Sequence, residues 1–338
     1  MRISICIPAY NRGEYLPELL DSILAQDTYE CEIEVVISDN ASTDNTGEVV
    51  DSYRSRFDRL VYSRADENMG ADRNFLKVVE LASGDFCWLM GSDDILEPGS
   101  IAEIEKNCRA NPDIAGLSLN RNAYTFGLDE RIYERPVAGG ELPGNTKIEG
   151  PDRIFCLLGE YFGYLSGQVV YRELWSQVVS AENVEEYFNA YVHIYIIGRM
   201  VQIRPAWFYV AAPCVGWRSA NDSFLAEGGN FKRMAIDVVG YEKIARGLFG
   251  TRSQTYHRIN RTVAAVHVRY ALLGAKLNDV EASFFRRAVP LLVGNYWRYP
   301  SFWARTAPLF LVPSRVVRLA RWGYRNTLKR ARVKRLAR

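Results

Sequence analysis

The segment FCWLMGSDDILEPG, residues 86–99, places two adjacent carboxylates directly after a strongly apolar run. The run Phe86–Met90 is typical of a buried β-strand, and Asp93 and Asp94 follow at its end. Aspartate is rarely buried without a partner, so a solvated pair would not be expected so close to a core strand. The position of the two acids indicates that a ligand at the end of this strand needs negative charge.

The first 120 residues alternate between short β-rich runs and helical periodicities. RISICIP predicts a first strand, EYLPELLDSILAQ a helix with regularly spaced leucines, and EIEVVIS a second strand. RLVYSR and DFCWLM predict two further strands, with the helix ADRNFLKVVELAS between them. This alternation predicts an α/β fold in which helices cover both faces of a mostly parallel sheet.

Polar segments follow three of these predicted strands. They are PAYNR after the first, SDN after the second and GSDD after the fourth, with ENMGADRN between the last two. Ligands of open α/β sheets bind outside the carboxyl ends of the strands, so these segments are expected to share one edge. Their side chains suit a nucleotide.

Four motifs carry a resemblance to a known family. CIPAYNR, ISDNASTDNT, ENMGADRNF and ASGDFCWLMGSDDILEPG, in this order and spacing over residues 3–99, resemble the family 2 glycosyltransferases with the Rossmann-like GT-A fold, in particular bacterial O-antigen and lipopolysaccharide-type sugar transferases. The resemblance implies an inverting, metal-dependent hexosyl transfer in cell-surface glycan biosynthesis. The donor would be a nucleotide-sugar, and the acceptor a hydroxyl of a lipid-linked glycan or a polysaccharide.

The resemblance also suggests how the chain is divided. Residues 1–225 would form the GT-A domain, with a nucleotide-sugar half at 1–120 and an acceptor half at 121–225. A mainly helical, basic C-terminal region would follow, made of a helical part at 226–313 and a basic amphipathic tail at 314–338.

The resemblance implies donor-binding residues on the shared edge, and it places Arg218 in a later segment, GWRSANDS, that resembles a lid over the donor phosphates. Asp39 would contact the base or ribose, although Asp-Asn followed by Ala-Ser-Thr-Asp is also good turn chemistry. Arg73 has an equally simple interpretation as part of a solvated helix face. The full donor set is Pro8, Tyr10, Asn11, Arg12, Asp39, Asn68, Gly70, Arg73, Ser92 and Arg218.

The metal site implied by the resemblance consists of Asp93 and Asp94. A departing diphosphate accumulates charge that a hard cation can neutralise, and carboxylate oxygens favour Mg²⁺ or Mn²⁺ over zinc. The family motif usually reads Asp-x-Asp or Asp-x-Asp-Asp, and its first position here is Gly91. Which acid holds the metal, and whether Asp94 instead caps the next helix, remain alternatives at this point.

An inverting transfer needs a base for the acceptor hydroxyl. The family usually supplies an acidic pair near a helix start, and EEYFNAYVHIYIIGRMV, residues 185–201, lacks it. His193 is nearest and titrates near neutral pH, but a buried histidine among tyrosines is an equal alternative. Asp222 is a weaker candidate, with Glu185 and Glu186 in reserve. Ser166 and Gly167 resemble the acceptor-side turn.

The net charge of +2 conceals a strong asymmetry. Residues 269–338 contain 16 Lys+Arg and 2 Asp+Glu, and residues 314–338 contain ten Lys+Arg and no acid. The tail has helical periodicity and follows several aromatic residues, a combination that suits an anionic membrane surface. We therefore expect a cytoplasmic protein peripherally associated with the inner face of the cytoplasmic membrane. A disordered solubilising tail is the alternative.

Other classes fit less well. The six cysteines and three histidines lack metal-ligand spacing, which favours reduced thiols, and the N-terminus has no secretion signal. No GxGxxG follows a strand, which disfavours a dinucleotide-binding oxidoreductase. A nucleic-acid partner is not expected because the first 268 residues are acidic. The alternatives are a nucleotidyltransferase, or a non-catalytic sugar-nucleotide-binding module that Gly91 and the missing acidic pair would fit.

Overall fold

The structure is a computed structural model that describes residues 1–27, 31–135, 141–142, 144–278, 280 and 282–323, with only the backbone of residues 133–135 and 227. The chain divides into two compact units, Met1–Asn221 and Asp222–Arg338. Residues 324–338, which form most of the expected basic tail, lie outside the described residues.

The first unit is a mixed α/β structure. Its strands are β1 (Arg2–Ala9), β2 (Glu32–Asp39), β3 (Leu60–Arg64), β4 (Phe86–Leu89), β5 (Ile95–Leu96), β6 (Gly116–Tyr124), β7 (Arg131–Arg135), β8 (Thr146–Glu149), β9 (Gln168–Tyr171) and β10 (Ala206–Arg218). Its helices are α1 (Leu16–Leu24), α2 (Thr46–Tyr53), α3 (Ala71–Leu81), α4 (Ser100–Ala110), α5 (Pro151–Leu158), α6 (Arg172–Ala181) and α7 (Val192–Ile203).

The strands form one sheet in the order β3-β2-β1-β4-β9-β6-β10-β5, with β7 paired to β6 and β8 paired to β10. β3, β2, β1 and β4 are parallel. β9 runs antiparallel to both β4 and β6, and β10 is again parallel to β6. The expected α/β fold with a mostly parallel sheet is confirmed.

The register brings the predicted ligand-binding segments to one edge. Ala9, the last residue of β1, pairs with Asp39, the last residue of β2. In β1, Ile3, Ile5 and Ile7 are fully buried together with Cys6, as expected for a parallel strand covered on both faces. The loops that follow β1 and β2 therefore leave the core side by side.

The second unit is helical, as the sequence predicts. It contains α8 (Ser223–Phe249), α9 (Gln254–Val263), a π-helical segment (Ala264–Val268), α10 (Arg269–Leu277), α11 (Ala282–Tyr296) and α12 (Pro300–Arg305). α8 is interrupted at Gly229, whose φ of +71° is readily adopted only by glycine. Residues 314–323 are also helical. Of the helices in the described part of the chain, none has the length and apolar content required to span a membrane.

Candidate functional site

Hydrogen bonds join the loops that follow β1, β2 and β4. The backbone N–H of Asn40 donates to Ala9 O at 2.9 Å, and that of Met90 donates to Cys6 O at 2.9 Å. The Asn11 side chain accepts from the backbone N–H of Thr43 at 2.8 Å. The segments predicted to share one edge are therefore in direct contact.

Asp39 is buried at this edge, and both of its carboxylate oxygens are engaged. Oδ1 accepts from the backbone N–H of Ser42 at 2.8 Å, which is the turn contact expected for this sequence. Oδ2 accepts from the Tyr62 hydroxyl at 2.7 Å. Burial raises the pKa of Tyr62, and the hydrogen bond with Asp39 raises it further, so the phenol remains a donor. Nothing local in the sequence indicates that Tyr62 contacts Asp39, because the two residues lie on neighbouring strands.

The other donor-side residues differ in how they are engaged. The Asn40 side chain donates to Asn68 Oδ1 at 2.8 Å, next to Gly70, whose φ of +84° precedes α3. Arg73 forms an ion pair with Glu185 at 3.2 Å, and both side chains are more than half exposed. Such a pair contributes about 0–1 kcal/mol, which fits a solvated helix face. Tyr10 is exposed at the same edge.

Asp93 and Asp94 have different environments, which separates their roles. Asp94 is 4% exposed, and its Oδ2 accepts from Ser166 Oγ at 2.5 Å and from the Tyr164 hydroxyl at 2.7 Å. Its Oδ1 accepts from the backbone N–H of Arg218 at 3.1 Å. Asp93 is only partly buried, and the side chain of Asn221 donates to its Oδ2 at 2.7 Å. Asp93 is thus the more available ligand.

Burial raises the pKa of both acids. For Asp94 the neighbouring Asp93 adds to the effect, and the pKa rises to about 7. For Asp93 the positive charge of Arg12 opposes the effect of burial. A nearby cation would favour the ionised forms of both groups.

The two carboxylates fit a divalent cation whose coordination is completed by a substrate. Within the described ranges, no group of three or more His, Cys, Asp or Glu side chains could hold a metal ion. Mg²⁺ is commonly bound through one or two carboxylates together with substrate phosphates. Asp93, with Asp94 behind it, matches that pattern.

Gly91 explains the altered motif. Its backbone N–H donates to Ser166 Oγ at 2.9 Å, and a Cβ at this position would lie 2.9 Å from the same oxygen. An aspartate at position 91 would therefore displace Ser166 from Asp94. Ser166, expected on the acceptor side, lies beside the two acids, and its carbonyl oxygen accepts from Trp88 Nε1 at 2.8 Å. Gly167 is buried next to it.

Arg218 is buried, and each of its three guanidinium nitrogens is engaged. Nε donates to the carbonyl oxygen of Asp93 at 2.9 Å, and the terminal nitrogens donate to Phe126 O and form an ion pair with Glu18. The guanidinium thereby joins the start of α1 to the loop that carries Asp93. In this arrangement Arg218 acts on the donor site indirectly, because it holds Asp93 in position.

The two predicted base candidates, His193 and Asp222, both make contacts that support the fold. His193 is buried with Nε2 3.0 Å from Phe162 O, and burial lowers its pKa to about 4, so the ring is neutral near pH 7. Asp222, in the second unit, caps α8 by accepting from Leu225 N at 2.9 Å and also pairs with Arg233. Both assignments remain untested predictions.

A carboxylate that the sequence analysis missed lies at the start of α7. Asp72, in the first turn of α3, is buried and accepts from the backbone N–H groups of Ala190 at 2.6 Å and Val192 at 3.0 Å. The first turn of α7 itself contains no acid. Burial raises the pKa of Asp72. The family's acidic pair is expected from residues around α7, whereas here a carboxylate reaches the start of α7 from α3, more than a hundred residues earlier.

Backbone strain is concentrated around the same loops. Asn11, Ala41, Ala190 and Ala220 have positive φ, and each follows a sheet strand or precedes α7. Such conformations cost about 1–3 kcal/mol each and persist where surrounding contacts hold them. The fifth such residue in the described part of the chain, Leu128, lies in the turn between β6 and β7.

The chain is similar to known glycosyltransferases. Residues 4–172 match the family model described as glycosyl transferase family 2. The abequosyltransferase RfbV of Salmonella typhimurium is 36% identical over 264 residues, which cover 74% of this chain and 76% of the relative.

Two solved structures share the fold. Staphylococcus aureus TarS 1–349 in complex with UDP-GlcNAc superposes with a TM-score of 0.60 at 16% identity, covering 87% of this chain and 80% of TarS 1–349. The mannosyltransferase PcManGT of Pyrobaculum calidifontis, in complex with GDP-Man and Mn²⁺, has a TM-score of 0.54 at 16% identity and covers 94% of this chain and 87% of its own.

Proposed function

The chain belongs to glycosyl transferase family 2, and on that premise we propose that it is an inverting, metal-assisted enzyme of cell-surface glycan synthesis. It transfers a sugar from a nucleoside diphosphate donor to a hydroxyl of a lipid-linked glycan or a polysaccharide. The observation that carries the proposal is the partly exposed Asp93 in the loop after β4, which leaves the sheet at the same edge as the loops after β1 and β2. The abequosyltransferase activity named for the relative supports the transfer of a sugar.

The residues around Asp93 fit a donor diphosphate site. Asp93 would hold Mg²⁺ or Mn²⁺ together with the donor phosphates, and the cation supplies charge neutralisation for the departing diphosphate. Asp94 orients the loop through Ser166 and Tyr164. Arg218 holds the Asp93 carbonyl, so the ligand is positioned before the donor binds.

We assign the proton transfer to Asp72. As the acceptor oxygen attacks the anomeric carbon, its proton passes to the Asp72 carboxylate. The bond between the anomeric carbon and the phosphate oxygen breaks, and its electron pair leaves with the diphosphate. A buried carboxylate with a raised pKa suits a general base. Its position supports the role, because α3 also contacts the donor edge through Asn74 Nδ2, 3.3 Å from Ala9 O.

The composition and surface of the second unit support the proposal that the protein binds the anionic inner face of the cytoplasmic membrane. Residues 282–323 contain seven arginines and no acid. Large apolar side chains are exposed there, including Trp297 at 61% and Trp322 at 68%. Exposed tryptophans beside arginines suit the headgroup region of a bilayer. Such binding would bring the enzyme to a lipid-linked acceptor.

Vesicle flotation tests the membrane proposal on the full chain. Replacing Arg315, Arg318 and Arg321 with Glu is expected to lower partitioning onto anionic vesicles by about 100-fold or more, since each basic residue near such a surface is worth about 1 kcal/mol. The matched control reverses three exposed charges of the first unit, Arg54, Arg59 and Lys106. Equal flotation of wild type and the first variant, or flotation on neutral vesicles alone, would contradict the proposal.

A donor screen tests the transferase assignment. In a thermal-shift panel of UDP-, GDP-, dTDP- and CDP-sugars, we expect at least one donor to stabilise the chain with Mn²⁺ and to lose this effect with chelator. A ligand at 100 times its Kd stabilises by about 2.7 kcal/mol, which is readily seen. Nucleoside diphosphate release that requires an acceptor would complete the test. Donor binding without turnover would favour a non-catalytic module, and turnover of nucleoside triphosphates a nucleotidyltransferase.

A further inference from the structure

Arg121, on β6, is a buried cation whose hydrogen-bonding groups are unused. The residue is 9% exposed, and its Nε is enclosed without a partner. Among the described residues, none accepts a hydrogen bond from the guanidinium or forms an ion pair with it. Arg218 is the contrasting case, since its guanidinium donates to Asp93, Phe126 and Glu18. Of these two buried arginines, Arg121 is the one whose guanidinium has no acceptor among the described residues.

Aromatic rings hold Arg121 in place. Its guanidinium carbon lies 3.9 Å from the ring centroid of Tyr164, 4.9 Å from that of Trp217 and 5.5 Å from that of Tyr161. Cation–π contacts engage the faces of the guanidinium, whereas its five N–H groups point outward in its plane. The rings therefore fix the orientation of the fork and leave its donors unsatisfied. Burial opposes the charge of Arg121, but Tyr161, Tyr164 and Asp94 outweigh this effect and raise the pKa of the guanidinium, so it stays charged.

The Arg121 cage, formed by Tyr161, Tyr164 and Trp217, adjoins the carboxylate pair. Tyr164 belongs to both, because its ring packs on Arg121 and its hydroxyl donates to Asp94 at 2.7 Å. Trp217 precedes Arg218, which holds the Asp93 carbonyl. The unused donors thus lie next to the proposed donor diphosphate site.

We propose that Arg121 forms an anion subsite that binds a phosphate group in the active centre. A planar guanidinium matches two phosphate oxygens at once, and the aromatic cage orients it in advance. The proposal rests on the proposed function for its location. The phosphate belongs either to the donor diphosphate or to a phosphate-linked acceptor, and the chemistry of recognition is the same for both.

Binding measurements on the full chain test the subsite. The probes are inorganic pyrophosphate, UDP and GDP with Mn²⁺, and farnesyl diphosphate as a phosphate-bearing lipid without a nucleoside. Arg121→Met is expected to weaken binding of at least one probe by roughly 10- to 100-fold, and Arg121→Lys by less, because lysine keeps the charge but not the fork. The control is Arg56→Met, which removes an arginine from a surface tyrosine ring, 4.6 Å from the Tyr53 centroid.

The pattern of losses identifies the source of the phosphate. Weakening confined to UDP and GDP assigns the subsite to the donor, and weakening confined to farnesyl diphosphate assigns it to the acceptor. Wild-type affinity of both Arg121 variants for every probe, or a wild type that binds none of the probes, would overturn the proposal. A wild type that binds pyrophosphate through Arg121 yet turns over no sugar nucleotide would keep the subsite and reject the transferase function.

The melting temperature without ligand separates binding from support of the fold. Arg121→Met removes a buried charge together with its contacts to three rings, so the melting temperature without ligand is read alongside the affinities. A fall of several degrees with unchanged affinities would show a structural role and reject the subsite. If Arg121→Met does not fold, the affinities of Arg121→Lys decide by the same criteria.

Discussion

Asp93→Asn is expected to lower the turnover of sugar transfer by about 100-fold or more and to remove the Mn²⁺-dependent stabilisation by the donor. The amide has one oxygen and no negative charge, and neutralising the leaving diphosphate is worth several kcal/mol. Asp94→Asn is expected to differ. The amide of that variant would leave at least one of three donors, from Ser166, Tyr164 and Arg218, without an acceptor, which destabilises the fold by about 1–3 kcal/mol.

Activity with and without Mn²⁺, together with thermal unfolding, distinguishes the two acids. The matched control is Asp51→Asn, which removes a surface carboxylate paired with Arg54 at 2.9 Å and should leave both quantities unchanged. Metal-dependent activity retained by Asp93→Asn, together with loss of metal dependence in a folded Asp94→Asn, would reverse the assignment.

Asp72→Asn is expected to lower kcat by about 10²- to 10⁴-fold, the usual contribution of a general base, while donor affinity is kept. Burial raises the pKa of Asp72 above its ordinary 3.8, so the wild-type rate should fall as pH drops through that raised pKa and the base becomes protonated. The variant should lack this acid limb. The measurement is the pH profile of kcat alongside donor binding.

Three comparisons separate a base from an anchor of α7. Asp72→Asn also places an amide against backbone N–H groups, so donor binding must show that the protein is folded. Asp72→Glu should recover part of the rate. His193→Gln and Asp222→Asn should stay within a few-fold of wild type. A folded His193→Gln that loses transfer, beside an active Asp72→Asn, would return the role to the histidine.

Much of the fold follows from local patterns in the chain. Strands β1, β2 and β4 appear as short apolar runs, and α1 and α3 as helical spacings, because side-chain periodicity reports which faces are buried. The polar segments at the strand ends follow from the same patterns, since parallel strands place their carboxyl ends on one edge. The excess of positive charge in the C-terminal region also follows directly from the sequence.

The roles of individual site residues depend on long-range contacts. Asp93 and Asp94 are adjacent in the chain, yet one faces Asn221 and the other is enclosed by Ser166 and Tyr164. No local pattern predicts that division. The same is true of Tyr62 on Asp39 and of Asp72 at the start of α7.

The sequence by itself determined the α/β architecture, the family and the strand end that carries the acids. Only the tertiary structure decided which acid is available, why position 91 is glycine, and which arginine has unused donors. The physical reason is one of range. Periodicity and turn chemistry act between near neighbours in the chain. The hydrogen bonds that separate the roles of these site residues join partners whose sequence separation is between 72 and 128.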